Sequence, residues 1–192
     1  MTDAPREDAD LYPAFLKLEA RAVLVVGAGP IAERKVVGLL GARARIRVVS
    51  PTATAAIQQL ASAGTIDWQA RTFDTADVSD AWLVIAATGD ARAQKEVAAA
   101  AEERRCFVIA VDDPGHASAY SGAIVRRPPF TIAISSSGAT PALTRLVREV
   151  IEHVLPGENA IEQAKRLRAK WQTEGKPTGE RFDELVRELT KR

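Results

Sequence analysis

Gly27-Ala28-Gly29-Pro30-Ile31-Ala32 follows an apolar run, Ala22 to Val26, and opens a helical pattern that continues from Pro30 to Leu40. A GxGxxA spacing at a strand-to-helix junction is the arrangement with which a turn cradles a pyrophosphate. Gly27 permits the tight turn, Gly29 lets backbone approach the ligand, and Ala32 lets helix pack close on strand. Pro30 has no N–H to give, so nearby amides, that of Ile31 among them, and the helix dipole must attract the phosphates. About twenty residues further on, where an acidic residue usually holds the ribose hydroxyls, stand Ser50, Pro51 and Thr52. Serine can still bond a ribose, and a missing carboxylate removes repulsion towards a 2′-phosphate, so this site leaves the choice between NAD and NADP open. Thr88, directly after the apolar run Trp82 to Ala87, is placed either for the nicotinamide half of a dinucleotide or as an ordinary helix-start residue.

Asp112 follows Phe107 to Val111, again at the carboxyl end of an expected strand, where open α/β sheets put their ligand crevice. A carboxylate there, bordered by Val111 and Pro114, suits a general base; Asp before Pro is also a common turn residue. The turn Ser135 to Gly138, with Ser136 at its centre, resembles an anion-binding nest before a helix that carries Arg145 and Arg148. Arg126 and Arg127 add positive charge nearby in sequence. The alternative is a capping turn with solvated arginines. His116 and His153 have no partner at metal-ligand spacing and read as surface histidines, so no metal site is expected.

These residues need elements to hold them. Buried strands are expected at 22–26, 46–49, 66–70, 82–87 and 107–111, alternating with helices at 30–40, 55–63 and 91–103, closed by Gly41 and Gly64 where the first two end. That alternation implies parallel strands with right-handed crossovers, hence an α/β, doubly wound parallel sheet of the Rossmann type over residues 1–113. A second segment is expected over 114–150, with one apolar strand at 130–134 and a helix that begins in it and runs over 141–154, followed by a helical part over 151–192. Leu143, Leu146, Val147, Val150 and Val154, and then two further helical faces, have little sheet of their own to cover. They meet either a second subunit or the first domain.

With 26 basic against 25 acidic residues among 192, the net charge of +1 does not indicate a nucleic-acid or membrane polyelectrolyte. Cys106, the single cysteine, has no disulfide partner. The acidic start has no apolar signal core and no run approaches the ~18 residues of a membrane span, so a soluble cytoplasmic protein is expected.

LYPAFLKLEARAVLVVGAGPIAERK, WLVIAATGD, AVDDP and FTIAISSSGATPALTRLVREVIEHVLP, in that order, closely resemble the precorrin-2 dehydrogenase / sirohydrochlorin ferrochelatase family of siroheme biosynthesis over residues 11–156. The length looks like that of the stand-alone enzyme, with no room for the methyltransferase domain of fused members. The resemblance implies a homodimer, with the segment 114–150 serving dimerisation, that oxidises precorrin-2, a tetrapyrrole, to sirohydrochlorin with hydride passing to NAD. In bifunctional members a ferrous ion, or a cobaltous one, is then inserted as a second substrate. It places the family's V-D-x-P aspartate on Asp112, and Arg126, Arg127, Arg145 and Arg148 become candidates for the substrate's carboxylates. The family tolerates the missing ribose carboxylate, which favours NAD. Departures at Ala119, Tyr120, Gly122 and Gln94 bear on metal insertion more than on hydride transfer. A non-catalytic nucleotide- or tetrapyrrole-sensing module on the same fold is the alternative reading.

Overall fold

The computed structural model describes residues 11–137 and 140–190. The β-branched runs become five parallel strands: β1 (Ala22–Val26), β2 (Arg45–Val49), β3 (Asp67–Gln69), β4 (Leu83–Ala86) and β5 (Phe107–Ala110), in the order β3-β2-β1-β4-β5. Helices α1 (Pro30–Gly41), α2 (Ala55–Ser62) and α3 (Ala91–Glu103) make the crossovers. Val23, Val25, Ile46, Val48, Leu83 and Ile85 pack under Ala32 and Val36 of α1 and Ile57 of α2. The alternate residues Leu24, Val26, Val49, Val84, Ala86 and Val108 pack against Val97, Ala98 and Ala101 of α3. The two apolar layers explain why the central strands read as continuous rather than alternating apolar runs.

Several boundaries differ from expectation. Gly41 is the last residue of α1 rather than the first beyond it, and Arg43, two residues on, takes the left-handed conformation, φ 55°, as the chain leaves the helix. The third strand shrinks to three residues at the sheet edge. The first of two units of the chain extends to Ser121, past the expected 113, because the amides of Ser118 and Ala119 both donate to Val108 O and fold the turn back onto β5.

The second unit begins with an antiparallel hairpin, β6 (Ala123–Arg127) and β7 (Phe130–Ile134), on which α4 (Pro141–Val154) packs. β6 was not expected: Gly122, a pair of arginines and Pro128-Pro129 hide a strand in which only Val125 is buried. Gly122 is required by its partner strand, since a Cβ there would stand 2.2 Å from Ile134 O. Helices α5 (Glu158–Thr173) and α6 (Thr178–Thr190) pack on one another, burying Ile161 and Trp171. No helix among the described residues is long and apolar enough to cross a membrane.

Glu184 joins the last two helices. Its carboxylate accepts from the Lys176 ammonium and, at 2.9 Å, from Trp171 Nε1, and these two bonds hold its pKa at about 2, well below the ordinary 4.5. A depressed folded pKa contributes stability that is complete above the unfolded value and lost as pH falls from there towards the folded one. Glu184→Gln is therefore expected to lose the acid-dependent stability that the parent shows between about pH 4.5 and 2. Circular dichroism against pH checks it; superimposable acid transitions would remove the bond network from the account.

Candidate dinucleotide cleft and its neighbouring aspartate

Strand order reverses between β1 and β4, and a sheet of this topology opens a crevice at the carboxyl ends of those two strands. There the structure has an open cleft of about 410 Å³, lined by Gly27, Ala28, Gly29, Ser50, Thr52, Ala53, Thr54, Ala87, Thr88 and Gly89. A smaller hollow of about 90 Å³ lies at the opposite, amino ends of the strands, where Arg47 faces Asp67 and Asp80.

The two glycines of the turn have different tasks. Gly27 has φ +100°, and a Cβ on it would stand 2.3 Å from Ala87 O, so the close approach of the turn after β1 to the end of β4 demands glycine there. Gly29 is the N-cap of α1, with ordinary φ −81°, and a Cβ on it would meet nothing within 4 Å. The space above Gly29 is thus left open on the cleft side, as a pyrophosphate on a helix N-terminus requires. Pro30 stands at N1, where its missing N–H costs no helical bond, and Ile31 follows in the first turn. Ser50 and Thr52 line the cleft with exposed Pro51 between them; the Ser50 backbone is fixed by its amide on Gln69 O and its carbonyl under Trp68 Nε1. Thr88 lines the cleft, and its hydroxyl also accepts from the Asp90 amide, the N-cap residue of α3.

Thr54 was missed. Its hydroxyl donates to Glu33 Oε2 at 2.9 Å and caps α2, while its amide donates to Ala28 O, so one residue ties α1, α2 and the glycine turn together. A Ser/Thr preceding a helical pattern carries the capping signal; the partner 21 residues away carries none.

Asp112 is exposed just beyond β5, and its φ of 58° places a non-glycine residue in the left-handed region. Strain of that kind concentrates at functional sites and must be held by surrounding structure. The holding groups are visible. The Val111 amide donates to Ala86 O, and the buried Gln94 of α3 donates its Nε2 to Val111 O. Register pairs Ala110 with Ala86, so Asp112 follows the strand beside the one that leads into Ala87 and Thr88 of the cleft. Asp113 starts a short 3-10 turn, and both its carboxylate oxygens lie within 2.9 Å of His116 Nδ1. Gln94→Leu is expected to cost ~1–3 kcal/mol by leaving a strand-end carbonyl without its donor. A urea titration with unchanged slope and lower midpoint is the check; a midpoint equal to the parent's would show that water replaces the amide.

In the second unit, Arg127 is committed to the end of α4, donating to Leu155 O at 2.6 Å and Glu152 O at 2.8 Å. Arg145 pairs with Glu149 at 2.8 Å, and Arg148 with Glu152 at 2.5 Å. Arg126 is exposed and, among the described residues, enters no hydrogen bond or ion pair. Ser136 Oγ receives the Thr144 hydroxyl at 2.8 Å and the Thr140 amide at 3.3 Å. Gly138, the last residue of the expected nest, lies outside the described residues. No group of three or more His, Cys, Asp or Glu able to hold a metal ion occurs among the described residues.

A family model described as "Putative NAD(P)-binding" matches residues 14–123. Siroheme synthase 1 of Aeromonas salmonicida is 43% identical over 147 residues, 77% of this chain and 31% of that protein. Siroheme synthase 1 of Klebsiella pneumoniae is 44% identical over the same share of each. The chain thus spans about a third of the length of these relatives, 31% in both. Among solved structures, "SirC, precorrin-2 dehydrogenase" matches with a TM-score of 0.73 at 23% identity, over 94% of this chain and 90% of that one, a likeness of fold.

Proposed function

Since the chain belongs to this NAD(P)-binding family, we propose that it oxidises precorrin-2 to sirohydrochlorin, with NAD as the hydride acceptor. The observation that carries the reading is Asp112, strained and braced at a strand end one strand away from the dinucleotide cleft. The printed names of the siroheme synthases and of the structurally similar dehydrogenase supply the substrate. Gly27, Gly29 and the first turn of α1 hold the pyrophosphate, Ser50 and Thr52 border the ribose, and Thr88 borders the nicotinamide. When bound, the dinucleotide supplies the acceptor for one hydride. Desaturation also releases one proton, and Asp112 accepts it. Loss of hydride and proton together makes the two-electron oxidation balance.

Precorrin-2 is a polycarboxylate, and Arg126, the arginine of the candidate set whose side chain has no partner among the described residues, is the first choice for a substrate carboxylate. Arg145 and Arg148 exchange surface partners at little cost. The proposal includes a cytoplasmic location and a homodimer. Leu143, Leu146, Val150 and Val154 of α4 are each more than half exposed within the chain, an apolar row that a second copy would bury. Light scattering at micromolar concentration is expected to give twice the chain mass; a fully active monomer would reject that part.

The deciding assay mixes the protein, precorrin-2 and NAD and follows NADH, with ferrous or cobaltous ion added afterwards to ask whether insertion follows. NADH formed only with precorrin-2 present is the expected result. Tight NAD binding without turnover would reject the enzyme in favour of a sensing module.

A further inference from the structure

Among the described residues the cleft is lined by glycine, alanine, serine and threonine, with no charged side chain in its walls. A carboxylate nevertheless stands directly behind one wall. Thr54 lines the cleft, and its hydroxyl donates at 2.9 Å to Oε2 of Glu33, in the first turn of α1. A hydroxyl has one hydrogen to give, so Thr54 has none left for a ligand; its oxygen faces the Ile57 amide as an acceptor, at 3.4 Å. Glu33 is half-buried and enters no ion pair of 4.0 Å or less among the described residues, and its Oε1 makes no hydrogen bond there. Arg34, next along the helix, is exposed and does not line the cleft.

The place of this anion along the cleft follows from the fold. Thr54 comes just after Thr52 on the segment that leads out of β2, and its amide on Ala28 O ties that segment to the glycine turn. The end of β2 is where dinucleotide-binding sheets of this kind keep the carboxylate that meets the adenosine ribose. Here Ser50 stands at the end of β2, and the carboxylate arrives from the neighbouring helix, through Thr54. An acidic residue in a first turn also favours the helix dipole, but that effect is the same whichever dinucleotide is bound.

We propose that Glu33 is the residue by which the cleft selects NAD over NADP: held on Thr54, its carboxylate repels a phosphate on the 2′ oxygen of the adenosine ribose. Such a phosphate would bring negative charge up to an uncompensated anion, find no cation in the lining and meet a threonine hydroxyl whose hydrogen is already engaged. The 2′-hydroxyl of NAD incurs none of these penalties. Selection here works by rejecting the wrong ligand, with no new contact needed to the right one. The inference rests on the reading of the cleft as the dinucleotide site and is independent of the substrate that is oxidised.

Calorimetric titrations of the full chain with NAD and with NADP test it through the ratio of the two dissociation constants, in which effects common to both ligands, helix stability and pyrophosphate attraction included, cancel. The parent is expected to favour NAD by about ten- to a hundredfold, a margin that narrows as salt is raised. Glu33→Gln keeps the shape and an acceptor for the Thr54 hydroxyl, and is expected to bring the two constants within about threefold of one another, chiefly by tightening NADP. Glu33→Asp, which keeps the charge, retains most of the preference. A folded Glu33→Gln chain with the parental ratio overturns the proposal and leaves Glu33 to the helix dipole. A parent that binds the two equally also overturns it, as does one that prefers NADP, which would assign the phosphate to Arg34. A parent that binds neither dinucleotide overturns the proposal together with the reading of the cleft, whereas the expected ratios in a chain that does not oxidise precorrin-2 uphold it and reject only the dehydrogenase reading.

Discussion

Gly29→Asp is expected to weaken NAD binding by about two to three orders of magnitude, ~3–4 kcal/mol, while the chain remains folded. The prediction is sharp because the position separates folding from binding. Gly29 has φ −81° and ψ −176°, backbone that any residue adopts, and a side chain there meets no protein atom within 4 Å. It is also the N-cap of α1, a place where aspartate stabilises a helix by bonding the first amides and facing the positive end of the dipole. Those are the amides and the dipole that a pyrophosphate needs. The substitution therefore satisfies the helix with a fixed carboxylate, occupies the approach and repels the phosphates. Gly27 could not be used in this way, since a Cβ there would run into Ala87 O and disturb the sheet itself. Calorimetric titration with NAD reads the effect, with a thermal melt to show that the variant is folded. A folded variant that binds NAD like the parent would sink the assignment of the turn.

If the proposed reaction is right, Asp112→Asn should lower precorrin-2 oxidation by ~10²–10⁴, the ordinary worth of a positioned general base, and leave NAD binding nearly unchanged. Asparagine is the informative replacement. It keeps the shape of the side chain and, among non-glycine residues, tolerates the left-handed conformation that Asp112 adopts. Loss of rate is then loss of a proton acceptor rather than collapse of the 112–121 turn. Single-turnover formation of NADH, compared with the Kd for NAD, separates the two. Parental rates in Asp112→Asn would move the base to a substrate carboxylate or a bound water.

Local pattern carried much of this architecture. The uninterrupted β-branched run at 22–26 specified a strand buried on both faces, and GAGPIA specified both the helix start and the chemistry of the turn, because both depend on residues adjacent in the chain. The resemblance over residues 11–156 singled out Asp112 among the strand-end residues. Where signals were local but mixed, the reading failed: β6 holds one buried residue between glycine and prolines, so neither periodicity nor β-propensity marks it. Its existence depends on pairing with β7, a fact about two segments at once.

The supporting shell of the site was beyond the reach of the sequence for the same reason. Thr54 finds Glu33 across 21 residues, Gln94 finds the Val111 carbonyl across 17, and Lys35 finds Ser121 across 86. Each partner is an ordinary polar residue in its own neighbourhood, and only the parallel sheet, which brings the carboxyl ends of β1, β4 and β5 side by side, places them together. The left-handed backbone at Asp112 is likewise a tertiary decision. No propensity favours it strongly, and it persists because bonds from neighbouring elements fix the peptides on either side of the turn. By itself the sequence determined which residues carry reactive groups and which strand ends present them. The tertiary structure decided which amide braces the peptide ahead of Asp112, because hydrogen-bond partners are set by distance in space and only short-range ones leave a trace along the chain.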